Sequence, residues 1–178
     1  MIASELLKQR PSRRDLEVQQ TARRRYPGDA LVPRPRWGWT HALEVHATAD
    51  RIWPFVAQIA ADGSRFYGSQ WLSAHPTIPP LRVATVVSGL HFVAYGGPDI
   101  IEPTTSWGAA SWLFLIEPLG DNHSRVISRY RATTSDDLRT RLSSPELLNG
   151  PVARAMDWNV LRGVKARAEY HDRGDPNT

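Results

Sequence analysis

The chain has 178 residues, 41% hydrophobic and 22% charged, with 14 Pro, 12 Gly and no Cys, as expected of one ordinary globular domain with a short appendage. The missing Cys excludes disulfide frameworks, thiolate zinc sites and cysteine nucleophiles. No apolar run approaches the about 18 residues of a membrane helix, and the opening MIASELLKQR has no apolar h-region, so a cytoplasmic address without a transmembrane segment is expected. Net charge is +4, but residues 1–36 hold nine Lys or Arg against four acids, whereas the remainder holds 13 against 14. The basic character therefore belongs to an arm, and no nucleic-acid partner is expected of the body.

Residues 1–30 read as that arm, partly helical or disordered, with Ser12 and Asp15 spaced as a capping box and Pro27-Gly28 as the stop. The stretch 27–36, PGDALVPRPR, is punctuated by Pro27, Pro33 and Pro35 and reads as an extended linker. A compact domain is expected over 31–172, followed by a disordered tail at 173–178. Trp37, Trp39, His41, Leu43 and Val45 alternate with Gly38, Thr40, Ala42, Glu44 and His46, which predicts a half-buried strand whose core face includes a histidine. Ile52, Phe55, Val56 and Ile59 recur at helical spacing. Pro54 is tolerated only in a first turn, so the N-cap falls at Thr48 to Asp50.

A second short helix is predicted over Ser64 to Leu72, with Tyr67 and Trp71 one turn apart, before the proline loop His75 to Pro80. Four strands then form an antiparallel meander: Leu81–Ser88, Leu90–Tyr95 after Gly89, Trp107–Glu117 and Arg125–Thr133. Trp112, Phe114 and Ile116 share one face, and Ser111, Leu113 and Leu115 the other; the sequence leaves open which points inward. Arg129 and Arg131 are expected outward and solvated. The chain closes with a helix over Pro145–His171, whose core line is read through Leu148, Val152, Ala155, Met156, Asn159 and Gly163, with Leu161, Val164 and Ala168 close by.

Among catalytic patterns, there is no G-x-S-x-G to frame a serine nucleophile. His41, His46, His75, His91, His123 and His171 include no i,i+4 pair and no HExxH, and Gly96-Gly97-Pro98 lacks the strand and helix of a phosphate loop. No metal and no other cofactor is expected.

The strings GDALVPRPRWGWTHALEVHATADRIWPFVAQI, FYGSQWL, SWLFLIEPLGDNHSRVISRYR and MDWNVLRGVKARAE, in that order, resemble the SRPBCC proteins, the START-like or Bet v 1-like superfamily. The likeness extends over about residues 27–170, and the actinobacterial polyketide cyclase/dehydratase-like members are most similar. It implies an α+β helix-grip fold: a curved antiparallel sheet wrapped around the long C-terminal helix, two short helices after the first strand, and a cavity between sheet and helix. Such relatives have a longer stretch, with an extra strand, where this chain has only SAHPTIPP, so one strand is expected to be short or missing. Gln70 also replaces the acid that many relatives have before the Trp.

Within that fold His41, on the apolar face of the first strand, is the first catalytic candidate, because a neutral imidazole there can act as a base. Tyr95, Tyr67, Tyr130 and Asp157 are its candidate partners. Asp157 is expected at the surface unless a partner such as His41 or an Arg draws it inward. Flat aromatic side chains suit a flat apolar ligand, which makes Trp39, Tyr67, Trp71, Trp112, Phe114 and Tyr130 the candidate binding residues, with Met156 and Asn159 from the last helix. The reading is a protein that holds a hydrophobic, flat or polyketide-like small molecule. The alternatives are a cofactor-independent cyclase/dehydratase, with catalytic residues His41, Tyr95 and Asp157, and an interaction module using the basic arm. Either a monomer or a homodimer is compatible with the sequence.

Overall fold

A computed structural model describes residues 20–21, 23–62, 81–97, 107–134 and 145–173. Five strands, β1 (Trp37–Val45), β2 (Arg82–Val87), β3 (His91–Gly96), β4 (Trp107–Gly120) and β5 (His123–Thr134), form one sheet in the order β1-β5-β4-β3-β2. All neighbouring pairs are antiparallel. Helix α1 spans Ala49–Asp62 and helix α2 spans Pro145–Arg173, 29 residues long. This is the curved sheet and C-terminal helix of the expected helix-grip architecture. The expected second short helix, with Tyr67 and Trp71, lies outside the described residues, as do the proline loop and residues 1–19 of the arm.

The backbone of the sheet is the β4–β5 hairpin, turned at Asp121–Asn122. Residues directly opposite in an antiparallel pair project from the same face, so the register resolves the strand phase. Trp39 stands opposite Tyr130, Tyr130 opposite Trp112, and Trp112 opposite Ala94. Trp112, Phe114 and Ile116 therefore face the inner core, where Ile52, Val56 and Ile59 of α1 and Ala153, Leu161, Val164 and Ala168 of α2 meet them. At the β2–β3 turn, Leu90 N–H reaches the Val87 carbonyl at 3.0 Å, and Gly89 supplies the φ of +75° that an L side chain rarely adopts.

Thr48 caps α1, its carbonyl accepting from the N–H groups of Arg51 and Ile52 at 3.2 Å. Pro54 falls in the second turn and not the first. Its missing N–H leaves the carbonyl of Asp50 without an i+4 donor, on the exposed side of the helix where water can replace it.

Three sequence expectations are corrected here. On α2 the core stripe runs through Ala153, Asp157, Leu161, Val164 and Ala168, while Val152, Ala155 and Asn159 are exposed. Leu161, Val164 and Ala168, read as flanking the line, are its centre, so the buried face is turned around the helix axis from the expected one. Residues 27–36 are not an extended linker. Asp29–Leu31 forms a 3-10 turn after Gly28 at φ +83°, and Tyr26 joins Val93, Leu113, Leu115 and Ile127 in a second core on the sheet's outer face. Arg129 and Arg131 do lie on that outer face, yet their side chains are only 10% and 15% exposed instead of solvated. Arg129 Nε donates to Asp29 Oδ1 at 2.8 Å and its Nη1 to Thr40 Oγ1 at 2.6 Å, while Arg131 donates to the Val32 carbonyl through Nε and Nη2. The Tyr26 N–H completes the cluster on Asp29 Oδ2.

Candidate functional site

His41 alternates onto the inner face of β1, and the β1–β5 register places it opposite Ser128. The α2 core stripe brings Asp157 to the same point, 116 residues away in sequence, with its side chain fully buried. His41 Nδ1 lies 2.7 Å from Asp157 Oδ2. Ser128 Oγ donates to Asp157 Oδ1 at 2.6 Å, and Trp112 Nε1 is shared between Asp157 Oδ1 at 3.1 Å and Ser128 Oγ at 3.0 Å.

A carboxylate removed from water needs such donors, because an unpaired buried charge costs several kcal/mol. With Asp157 as the carboxylate, His41 is the donor through Nδ1–H, and its Nε2 is the atom left to exchange a proton. The imidazole is packed edge-on to Trp158 at 5.5 Å and beside Trp39 at 6.4 Å, and its side chain is 22% exposed. The pair has parts of a general base held by a carboxylate: a ring oriented by its acidic partner and a second nitrogen outside that contact.

Beside this network lies a pocket of about 330 Å³, between α1, β4 and α2. Ile59, Trp112, Met156, Val160, Gly163 and Val164 form its apolar wall, and Asp157, Asn159 and Arg167 are its polar members. The volume falls within the roughly 300–1,000 Å³ of small-molecule sites. A Cβ added at Gly163 would meet nothing within 4 Å, so the glycine leaves open space on the helix.

Of the residues singled out from the sequence, Trp112, Met156, Asp157 and Asn159 line this pocket. Trp39, Phe114 and Tyr130 are instead core members. Trp39 and Tyr130 stack with centroids 4.6 Å apart, and Phe114 packs against both Phe92 and Trp112, which also meet each other. Burial pushes the Tyr130 phenol well above its ordinary range. Tyr95 is corrected as a partner of His41: it stands opposite Ser111, which stands opposite Arg131, on the outer face of the sheet. Asp157 is corrected from the surface to full burial, and His41 is the partner that holds it. Tyr67 and Trp71 lie outside the described residues. Ser128 is the member that sequence reading missed; its signal was a hydroxyl in phase with Val126 and Tyr130 on the inward face.

No family model matches the chain, and no curated protein does. Among solved structures it is similar to the di-domain ARO/CYC StfQ from the steffimycin biosynthetic pathway, with 14% identity over 76% of this chain and a TM-score of 0.51. The chain spans about half of that protein's length, 51%. It is also similar to the Zhui aromatase/cyclase from Streptomyces sp. R1128, at 16% identity, 80% and 99% coverage of the two chains and a TM-score of 0.45. A START superfamily protein from Mycobacterium smegmatis matches at 13% identity, 73% and 97% coverage and a TM-score of 0.42. At such identities the likeness is one of fold. No helix among the described residues is long and apolar enough to cross a membrane.

Proposed function

From a chain with the SRPBCC-like helix-grip fold, we propose a protein that holds a hydrophobic, flat or polyketide-like small molecule between sheet and C-terminal helix. The observation that carries this reading is the pocket against Trp112 and α2, apolar on most of its wall and floored by a carboxylate whose oxygens are already engaged. An apolar ligand gains by leaving water for such a wall, and the network beneath it offers fixed polarity instead of a mobile charge.

The test uses Gly163. Gly163→Leu places a side chain into the open space on the helix and raises helix propensity by up to about 1 kcal/mol. Saturable quenching of tryptophan fluorescence by flat polycyclic ligands is expected in the wild type and lost in this variant, with its melting temperature unchanged or higher. Equal binding by both proteins would remove this pocket from the reading.

A second reading, a cofactor-independent enzyme of the cyclase/dehydratase type, is favoured by one observation: the 2.7 Å contact between His41 and the buried Asp157. In it a molecule bound against the imidazole, beyond the residues that line the pocket, gives a proton to His41 Nε2 and receives it back on the departing oxygen, while Asp157 holds the ring in place. His41→Ala would then abolish turnover while ligand quenching persists. A carrier would show no turnover to lose.

A further inference from the structure

The pocket is electrically asymmetric along α2. Asp157 sits at one end, fully buried, and Arg167 lines the other, ten positions further along a helix that rises 1.5 Å per residue, a distance of about 15 Å. Asp157 spends its oxygens on His41, Ser128 and Trp112. Arg167 is exposed and makes no ion pair or hydrogen bond among the described residues, whereas Lys165, two positions earlier, is paired with Glu169 at 2.9 Å. Between the two ends the wall is Met156, Val160, Val164 and Ile59.

A cation at the rim of an apolar slot favours an anion there, and a buried carboxylate at the floor rejects one. We propose, resting on the pocket reading above, that the ligand is an amphipathic monoanion that enters apolar end first. Its acid group stays at the rim on the Arg167 guanidinium, and the end approaching Asp157 is neutral. The planar fork of Arg matches a carboxylate with two parallel N–H donors. The rim location keeps the acid partly hydrated, so only the apolar body is desolvated.

Isothermal titration calorimetry on the full chain with 2-naphthoate and its neutral isostere 2-naphthamide tests this. The wild type is expected to bind the acid about fivefold more tightly, the scale of one partly exposed ion pair. Arg167→Gln should bind both alike, with the amide affinity unchanged, and 1 M salt should erase the preference in the wild type. Equal binding of acid and amide by the wild type, or a preference retained in Arg167→Gln, would overturn the proposal and leave the pocket reading standing. Failure of both compounds to bind, or equal binding by Gly163→Leu, would overturn the pocket reading and this proposal with it.

Discussion

Asp157 shows how one residue can change the meaning of its neighbours. On a helical wheel it sits beside larger apolar residues, and a carboxylate is normally assigned to water. Its burial became legible only once β1, β4 and β5 were paired, because His41, Trp112 and Ser128 come from three different strands. The candidacy of His41 was readable from the alternation of β1 alone; Asp157 stood among four candidate partners, and only the fold separates it from Tyr95 and Tyr130. Asp157→Ala leaves three donors facing a void and is expected to cost about 3–5 kcal/mol, whereas Asp157→Asn keeps the volume and most contacts and should cost less. Urea titrations of the two variants measure the difference.

His91 supplies a second residue-scale test. It is 9% exposed on β3, its Nδ1 has no partner among the described residues, and burial pushes its pKa below the usual imidazole value near 6.5. The unfolded chain therefore takes up the proton first. The contribution of His91 is intact above about pH 6.5 and lost as pH falls through that value towards the folded pKa. Between pH 7.5 and 5.5 the urea midpoint of the wild type should fall more than that of His91→Leu. Parallel slopes would dismiss His91 as the cause.

At the level of elements, the strands were legible because alternation, Gly89 and the Asp121–Asn122 turn are local signals. The stripe of α2 was not, because a helix with cations on several sides has no strong apolar face, and tertiary contact decided which of its apolar residues turn inward. The seam between β1 and β5 depends on Gly38 in a way no periodicity reveals. A Cβ there would stand 2.3 Å from the Tyr130 carbonyl oxygen, closer than any contact can be. Gly38→Ala must push β1 away from β5 and is expected to destabilise by about 2 kcal/mol, well beyond an ordinary surface change. A melting temperature within a degree of wild type would show that the seam can give way freely.

For the whole molecule, the segment before β1 decides how the sheet is covered. Prolines suggested a linker, yet the chain from Tyr26 to Val32 closes the outer face, and Asp29 ties it to Arg129 and Arg131. Removing residues 1–31 strips Tyr26 and Asp29 from that face and leaves two guanidinium groups without their carboxylate. The truncated protein should melt several degrees lower and bind a hydrophobic dye, and an unchanged melting temperature would show that the outer face holds without this segment. The β4–β5 hairpin closes over a two-residue turn, whereas β1 pairs with β5 only across an intervening helix and three strands, and His41 meets Asp157 across 116 positions. Contacts so distant in sequence carry a larger loop-closure entropy and slow folding. The imidazole and its carboxylate thus meet only when sheet and helix are both in place, and the refolding rate of this contact times the appearance of the site itself.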